Sequence, residues 1–561
     1  MGAGLSIFHG IKRMVSKAET ASLNKRDREL LLTLAQQAGQ AGASRGWRNK
    51  ELYQRRAEFN SLGGLRRVQR ELETKGLFDV RCERRAWRDT DGERRVFTLA
   101  RAATTEMWPM GTHYWVRDNS IIGARYLLSE NNAHRRLGKE LLLSALTFMS
   151  SLSQLKRMES IIRSSSRKFI LAANNWPYIF AGVKSNLHAA DKEGWAHKQD
   201  AWQILAWFVL EGLERGLITR HDLTTKHRTF LSLIVPFLIK VSFWKCENSG
   251  SWEELVAVRS SVRAWEHRLI VRLGDVSRVR GFSFLEDGFE RARRYLPTTF
   301  KKLSFEKAIV SAEKHVIKVM VEDLPFESPS YKRRDPRYRE ADAALIYLLQ
   351  IHYPQFLATR AGFSEKWAES LEKRVVATVA TLDDKATGGI ARYANDTYQR
   401  QGYFRNLIAR KLSELYGAPS GDASSHFVDR ERVVPRGRKA MWTHFVWQLA
   451  AWAGRRYIET RNARYRTMHE RYFARGLSLI TGPKEASVEQ NQAGISQVIT
   501  IPPFRMPECY ISDLAPKRGT LIFPSPHTPL NWSVAEMYDA FSVRELVLAT
   551  PTGEIRKPKN P

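Results

Sequence analysis

Residues 201–217, AWQILAWFVLEGLERGL, have the pattern of a helix with a broad apolar face. Similar segments follow one another from about residue 105 onward, among them RLGKELLLSALTFMSSL, FLSLIVPFLIKVSFW, THFVWQLAAWAGRRYIETR and WSVAEMYDAFSVRELVL. Short helices cannot bury such faces alone, so they must pack in pairs or rings. Because no period typical of a solenoid is evident, we predict an all-α fold in which about ten helices form a closed toroid. The loops at one end of such a toroid would carry the function.

The first 100 residues differ in character from the rest. Helical patterning comes first, and the segment 78–101 then alternates on either side of Asp91-Gly92 as a β-hairpin does. Three parts are therefore predicted: a basic, separable N-terminal extension of helices and a β-hairpin at 1–100, an all-α domain at 101–550 and a C-terminal tail at 551–561.

The chain of 561 residues has a formal net charge of +31, from 90 Lys and Arg against 59 Asp and Glu. Such a charge attracts anions, which include nucleic acid, an anionic membrane surface and an acidic polymer. Basic and acidic residues are mixed along the whole chain and no basic tail or finger motif occurs, so specific recognition of nucleic acid is not expected. An apolar run of about 18 residues, as a membrane span requires, does not occur.

Cysteine and histidine form no metal-binding or disulfide pattern. Cys82, Cys246 and Cys509 are scattered, which indicates free thiols with no need of an oxidising compartment. His113 and His197 have no partner at ligand spacing, so a hydrogen-bonding or core role is expected of them. We therefore expect a cytoplasmic chain that needs no metal or cofactor.

The N-terminus lacks the features of a secretory signal. Its first residues, MGAGLS, fit the M-G-x-x-x-S pattern of N-myristoylation, and Lys12, Arg13 and Lys17 would add an electrostatic attraction to a membrane. One interpretation is a peripheral membrane contact through this basic segment. The other is a frayed terminus.

Five loop stretches mix aromatic residues with charged or hydrogen-bonding ones: YWVRDNS (114–120), GWAHKQDAW (194–202), CENSGSWEEL (246–255), GGIARYANDTY (388–398) and RMPECYISDL (505–514). A sugar ring has apolar faces that stack on aromatic rings and hydroxyls that bind charged side chains, so the combination favours a carbohydrate ligand. Glycoside hydrolysis requires two carboxyl groups, one protonated and one ionised. Glu253 or Glu254 is a candidate for one of them, and Glu508 for the other.

These stretches resemble motifs of glycoside hydrolase family 15, the glucoamylase-like enzymes, which include a related domain of the phosphorylase kinase regulatory subunits. SGSWEE resembles the tryptophan-acid-acid signature of the family, and MPECY followed by TPLNWSVAEM resembles its C-terminal motifs. The other three stretches resemble its Arg-Asp, Gln-Asp and Gly-x-x-Arg-Tyr-x-x-Asp-x-Tyr motifs, in the family's order. The resemblance implies an (α/α)6 barrel and inverting hydrolysis of terminal α-glucosidic bonds in an oligosaccharide or polysaccharide.

The resemblance also implies roles for individual residues. Glu253 is similar to the general acid and Glu508 to the general base of the family. Inversion requires their carboxyl groups to lie roughly 6.5–9.5 Å apart, so that a water fits. The positions expected to bind substrate are Arg117, Asp118, Trp195, Gln199, Asp200, Trp252, Glu254, Arg392, Tyr393, Asp396 and Trp442.

Each motif also has a local structural interpretation. The tandem glutamates would suit the start of a helix capped by Ser249 or Ser251. Arg117 with Asp118, and Arg392 with Asp396, would be ion pairs between near neighbours in sequence. Trp207 and Trp447, on helical stretches, are expected in the core rather than at a sugar.

Two positions near the predicted base and rim carry further expectations. Tyr510 lies close enough in sequence to orient Glu508 or its water, while Cys509 stands where the family commonly has glutamine. The basic region 300–340, which includes FESPSYKRRDPRYRE, is expected to form a lid or rim loop whose charges face the substrate.

The functional alternatives differ in their need for the two carboxyl groups. A non-catalytic glucan-binding regulatory or scaffold protein, of the phosphorylase kinase subunit type, would keep the sugar contacts and need neither Glu253 nor Glu508. A phosphorolytic relative would replace the base with a phosphate pocket. Retention of both glutamates favours the hydrolase, and the high positive charge motivates a further hypothesis, that part of the substrate is anionic.

Overall fold

A computed structural model describes most of the chain in two compact units. The first unit comprises Met1–Asp79, Arg333–Pro336 and Ala380–Pro561, and the second comprises Val80–Lys332 and Arg337–Val379. The residues that the structure describes are 33, 48–88, 94–101, 113–172, 175–182, 199–248, 250–252, 257–333, 335, 337–384, 387–394, 439–491, 494–514 and 520–551.

Helices dominate the described residues. They are α1 (Lys50–Gln54), α2 (Leu62–Thr74), α3 (Val116–Leu127), α4 (Asn132–Met149), α5 (Leu152–Arg163), α6 (Arg167–Leu171), α7 (Gln199–Glu214), α8 (Thr225–Val241), α9 (Ser260–Ser277), α10 (Phe284–Ala292), α11 (Thr298–Lys301), α12 (Phe305–Asp323), α13 (Ile346–Gln350), α14 (Tyr353–Ala361), α15 (Glu365–Ala380), α16 (His444–Thr460), α17 (Ala463–Ser478) and α18 (Asn531–Ala549). The predicted all-α fold class is confirmed.

Small antiparallel sheets accompany the helices. The strands are β1 (Cys82–Arg88), β2 (Arg94–Ala100), β3 (His113–Trp115), β4 (Phe180–Gly182), β5 (Lys439–Trp442), β6 (Glu485–Asn491), β7 (Gly494–Ile501), β8 (Cys509–Leu514) and β9 (Thr520–Pro524). Strands β1 and β2 form the predicted hairpin, with Arg88 paired to Arg94. Strands β5, β8 and β9 form a three-stranded sheet.

In the second unit, a layer of buried helices is covered by amphipathic ones. Helix α7 packs against α3 on one side and α9 on the other, and α9 also packs against α13. Every residue of α3 and nearly every residue of α9 is buried. Helices α4 and α12, which bury one face each, cover α3 and α9. Helices that are buried on all sides need neighbours on all sides, which is why this unit has two layers.

The close packing of α3 and α4 depends on glycine. A Cβ atom at Gly138 would lie 2.2 Å from Leu127 N and 2.5 Å from Gly123 O, both of them backbone atoms that cannot rotate away. We expect Gly138→Ala to lower the free energy of unfolding by about 1–3 kcal/mol, because the helices must move apart. Thermal denaturation would measure the change.

Gly63 provides the control for that prediction. It lies in α2, and a Cβ there would meet nothing within 4 Å. Gly63→Ala should therefore stabilise the protein by about 0.5–1 kcal/mol through helix propensity. Equal effects of the two substitutions would contradict the role given to the α3–α4 contact.

A buried polar cluster ties three helices of the second unit together. Arg360 of α14 donates to both carboxylate oxygens of Glu313 in α12. His267 of α9 has Nε2 3.2 Å from Glu313 Oε1 and Nδ1 2.8 Å from the Tyr353 hydroxyl. Burial opposes ionisation of Glu313, but the hydrogen bonds from Arg360 and His267 outweigh it and lower the pKa of Glu313 to about 2.

The lowered pKa of Glu313 makes the stability depend on pH in a defined window. A carboxyl whose pKa is lower in the folded state stabilises the fold above its unfolded pKa of about 4.3, and this contribution is lost as the pH falls toward 2. Glu313→Gln should therefore cost roughly 2 kcal/mol at pH 7 and flatten the decline in stability between pH 4.5 and 2. Denaturant melts of both proteins across this range would show it, and parallel curves would contradict it.

In the first unit, α16 packs against α17 and α18, and α18 packs against α2. Aromatic rings fill this interface, with centroids 5.0 to 6.2 Å apart: Phe59, Phe78, Trp447, Phe473 and Phe541. Trp447 is fully buried and Trp207, in the other unit, is 8% exposed, so both are core residues as predicted.

The structure groups the first 100 residues differently from the predicted separable extension. Helix α2 belongs with α18 in the first unit, where it buries Leu65, Val68 and Leu72. The β1–β2 hairpin belongs to the second unit, where Asn119 of α3 bonds to both the amide and the carbonyl of Ala100. The N-terminal MGAGLS segment and the tail after residue 551 lie outside the described residues.

Among the described helices, none is both long and apolar enough to cross a membrane.

Candidate active site

The predicted sugar-binding motifs lie at the N-terminal ends of buried helices. YWVRDNS provides the first turn of α3, and Gln199 and Asp200 begin α7. In the first unit, Trp442 precedes α16, and TPLNWSVAEM runs into α18. Helix N-termini leave backbone amides without helical partners, so polar side chains and ligands collect there.

Arg117 and Asp200 form a buried ion pair in the second unit. Arg117 Nη1 donates to Asp200 Oδ2 at 3.0 Å, and their side chains are 7% and 2% exposed. Among the described residues, Asp200 Oδ1 has no hydrogen-bond partner although it is buried. Buried polar atoms are nearly always paired, so this oxygen is suited to receive a ligand hydroxyl. Asp118, beside Arg117, is buried as well.

A second polar layer lies one turn below this pair. Gln203 Nε2 donates to Glu266 Oε1 at 2.8 Å, and Glu266 is 1% exposed. Burial raises the pKa of Glu266 well above its usual value, although Gln203 and Arg263 oppose this, and the charge of Asp200 adds to the rise. The sequence analysis missed Glu266, whose one signal was a glutamate inside the helical stretch that forms α9.

Trp252 lies in a loop whose two ends, Asn248 and Ala257, are hydrogen-bonded to each other. Asn248 and Ala257 exchange backbone hydrogen bonds of 2.9 and 2.8 Å, and Gly250 adopts a positive φ of 66° within the loop. The indole of Trp252 is 8% exposed and donates to Asp342 Oδ1 at 2.7 Å. This contact to a loop 90 residues away was not predicted, and it orients the predicted stacking wall.

The helix-cap interpretation of the tandem glutamates stays a prediction, because Ser249, Glu253 and Glu254 lie outside the described residues. The next described helix, α9, begins at Ser260 and has Arg259 as its N-cap residue. Trp195, Asp396, His197 and the side chain of Gln199 also lie outside the described residues.

Glu508, in the first unit, is fully buried just before β8. Ser525 Oγ donates to Glu508 Oε2 at 3.0 Å, and the amide of Thr443 donates to the Glu508 carbonyl at 3.3 Å. The expectation that Tyr510 orients this carboxylate is wrong, because the Tyr510 hydroxyl donates to the Leu479 carbonyl at 3.1 Å. Ser525, which the sequence analysis missed, orients it instead.

Aromatic and basic side chains lie together in the first unit. The Arg392 guanidinium lies 5.1 Å from the Trp442 ring centroid, and Arg392 Nη2 donates to the Tyr393 hydroxyl at 3.3 Å. Trp442 meets His444 edge to face at 5.5 Å, and His444 stacks on Trp532 at 4.6 Å. Arg392, Tyr393 and Trp442 thus lie together in the first unit. Among the described residues, the Arg392 guanidinium contacts the aromatic rings of Tyr393 and Trp442.

Much of the predicted rim region 300–340 is helix α12, at Phe305–Asp323, rather than loop. In the part that is a loop, Arg339 is 5% exposed and donates to Asp342 at 2.9 Å, so its charge is paired within the unit. Arg337 binds Glu247 at 3.0 Å. Two of the basic groups of this loop therefore bind acidic residues of the same unit.

The described residues define a helical protein whose buried helix ends carry paired carboxylate, arginine and tryptophan side chains. No family model and no curated protein matches the chain. Among solved structures, the chain is similar to the glucoamylase from Saccharomycopsis fibuligera, with 14% identity over 80% of this chain and 89% of that chain and a TM-score of 0.41.

The chain is also similar to the glucoamylase of Hormoconis resinae, with 12% identity over 80% of this chain and 68% of that chain and a TM-score of 0.30. The described helices confirm the predicted all-α fold class. The roles of individual residues rest on the motifs and on the contacts described above.

Proposed function

We propose that this chain is a glycoside hydrolase, an inverting, exo-acting α-glucosidase of the glucoamylase type. It would hydrolyse terminal α-glucosidic bonds of an oligosaccharide or glycan, with Glu253 as general acid and Glu508 as general base. The observation that carries the proposal is the setting of Glu508. Its carboxylate is fully buried in a non-helical segment and held by Ser525, so neither helix capping nor surface charge explains it.

The other described groups have roles that fit this reaction. The open oxygen of Asp200, with Arg117 beside it, would bind hydroxyls of the terminal sugar. The Arg392 and Trp442 group would offer a charge and an apolar face. Inversion needs a water between base and sugar, and Glu508 would take the proton of that water.

The protonation of Glu253 is the second requirement of the mechanism. A general acid must retain its proton at the working pH, so its pKa has to rise from about 4.3 toward 6. Trp252 beside it and the like charge of Glu254 would both act in that direction. The pH profile of kcat/KM should then be bell-shaped, with its alkaline limb set by Glu253 and its acidic limb by Glu508.

A substrate screen with detection of the product anomer tests the proposal. Wild type and Glu253→Gln would be incubated with α-linked disaccharides, longer α-glucans and β-linked controls, and the anomer followed by proton NMR. The expected product is β-glucose from α-linked substrates, with activity lost in Glu253→Gln. An α-anomeric product would refute inversion, and equal activity of both proteins would refute the assignment of Glu253.

The same screen separates the glucan-binding alternative. A regulatory or scaffold protein would bind maltooligosaccharides in calorimetry but release no glucose. The hypothesis of an anionic substrate is tested in parallel, because attraction to an acidic glycan falls as salt rises. If rates on neutral maltooligosaccharides are independent of salt and acidic glycans are not cleaved, the positive charge has another role.

A further inference from the structure

The loop that carries Trp252 is held by residues 327–332 and 337–342 of the same unit, which we call the clasp. At the C-terminal end of the Trp252 loop, the Glu327 carbonyl accepts from Ser260 N at 2.8 Å. The Glu327 carboxylate accepts from Ser261 N at 3.0 Å and from Ser261 Oγ at 2.6 Å. These three hydrogen bonds hold the first two residues of α9 against the clasp.

Tyr331 of the clasp is bonded to both ends of the loop, at Val258 and at Glu247. Its hydroxyl accepts from Val258 N at 2.8 Å and donates to Glu247 Oε1 at 2.8 Å. Arg337 also donates to Glu247 Oε1, at 3.0 Å. Both ends of the loop are therefore bonded to the clasp, and Trp252 lies between these ends.

Asp342 holds the middle of the loop through Trp252. Its Oδ1 accepts from Trp252 Nε1 at 2.7 Å and from Ala344 N at 2.9 Å, and its Oδ2 accepts from Arg339 Nη1 at 2.9 Å. Asp342 is fully buried, and Arg339 and Trp252 are 5% and 8% exposed. The hydrogen bonds from Trp252, Arg339 and Ala344 together fix the orientation of the Asp342 carboxylate.

We propose that Asp342 is a positioning residue for the proposed active site: it fixes the indole of Trp252, the residue that directly precedes the proposed general acid in sequence. Consecutive Cα atoms are only about 3.8 Å apart, so a displaced Trp252 backbone would also displace the residue that follows it. The inference rests on the proposed function for its catalytic consequence. The contact itself does not depend on that function.

The charges around Asp342 indicate that this arrangement is not the most stable filling of the space. Buried ion pairs often contribute less to stability than apolar residues of the same volume. Here a second buried carboxylate, Glu327, lies close, and burial together with the charge of Asp342 raises its pKa. Glu327 binds Ser261, so the indole of Trp252 and the guanidinium of Arg339 share Asp342 as their charged acceptor.

Two variants and one matched control test the proposal in the full chain. Trp252→Phe keeps an aromatic ring but removes the donor. Asp342→Leu combined with Arg339→Met removes the acceptor without leaving a buried charge unpaired. The control is Trp207→Phe, because Trp207 has the same 8% exposure in the same unit and its ring packs on Trp265 and Arg272 of α9.

Steady-state kinetics on maltotriose give the first result. Both test variants should lower kcat at least about tenfold and change KM less than about threefold, because a misplaced acid slows the chemical step more than it weakens binding. Trp207→Phe should lower the melting temperature but keep kcat within about twofold of wild type. A kcat within about twofold of wild type in both test variants would overturn the proposal and leave the proposed function standing.

Fluorine NMR of protein labelled with 5-fluorotryptophan gives a result that does not require activity. The signal missing from Trp252→Phe belongs to Trp252, and it should shift or broaden in the Asp342→Leu, Arg339→Met variant. An unmoved Trp252 signal would overturn the proposal even if kcat had fallen. If wild type hydrolyses no α-glucoside, the proposed function fails, and the NMR comparison still decides whether Asp342 positions Trp252.

Discussion

Glu508→Gln is expected to reduce kcat on maltotriose by about 10³-fold with little change in KM, because general base catalysis contributes about 10²–10⁴-fold. Glutamine has the same shape and can still accept the hydrogen bond from Ser525, so the fold around β8 should be kept. It cannot take a proton from water. Stopped assays of glucose release and a thermal melt would measure the two effects separately.

Two controls sharpen that result. Glu485→Gln makes the same change at another buried glutamate of the first unit, where burial already raises the pKa. It should leave kcat within about twofold of wild type. Ser525→Ala keeps the base but frees its orientation, so a loss of roughly tenfold is expected. If Glu508→Gln and Glu485→Gln behave alike, Glu508 is not the base.

The helices were predictable because their signal is local. Residues 201–217 show it clearly: the apolar face repeats within a single stretch, and α7 covers most of that stretch at Gln199–Glu214. The β1–β2 hairpin was equally local, since its strands flank Asp91-Gly92. Such periodic patterns depend on neighbours a few residues away and require no knowledge of the fold.

The partners of the site residues were not predictable in the same way. Arg117 meets Asp200, 83 residues away, and Trp252 meets Asp342, 90 residues away. The sequence marked Arg117, Asp200 and Trp252 as important, but spacing alone suggested near neighbours such as Asp118. Packing of separate helices and loops decides such contacts, and that information is distributed over the whole unit.

Tyr510 shows where a local rule misleads. Alternate residues of a strand point to the same face of the sheet. Glu508 comes just before β8 and Tyr510 is two residues later, so alternation alone would place their side chains on one face. In the structure, the hydroxyl of Tyr510 instead donates to the Leu479 carbonyl. Ser525 follows β9 and became a partner of Glu508 only when β9 paired with β8.

The association of α2 with α18 is a further contact that no local pattern indicates. The apolar face of α2 was visible in sequence, but its partner begins at Asn531, more than 450 residues later. The helical pattern alone was compatible with a separable extension. Arg544 of α18 donates to the Phe59 carbonyl at 3.1 Å, which ties the segment before α2 to the same helix.

Arg117→Lys is expected to lower kcat/KM on maltotriose by about 10²–10³-fold, equivalent to roughly 3–4 kcal/mol of transition-state binding. Lysine keeps the charge that Asp200 needs, so the buried pair stays neutralised overall. Lysine lacks the planar guanidinium group, whose several N–H donors can bind Asp200 and a sugar hydroxyl at the same time. Kinetics at subsaturating substrate would measure the loss.

A second buried Arg-Asp pair in the same unit provides the matched control. Arg263 of α9 donates to Asp323, with side chains 4% and 13% exposed, and neither residue belongs to the sugar motifs. Arg263→Lys should cost stability to a similar extent and leave kcat/KM within about threefold. Similar kinetic losses in both variants would show that Arg117 acts through the fold.

The double variant Arg117→Met, Asp200→Asn separates binding from the cost of a buried charge. Arg117→Met alone leaves the Asp200 carboxylate buried and uncompensated, which costs about 3–5 kcal/mol of stability. Removing both charges should restore much of that stability, because neither ion is then left unpaired. Activity should stay low, since a sugar hydroxyl would meet neither the guanidinium nor the carboxylate. Stability recovered without activity would thus assign the pair to substrate binding, and activity recovered with stability would assign it to the fold alone.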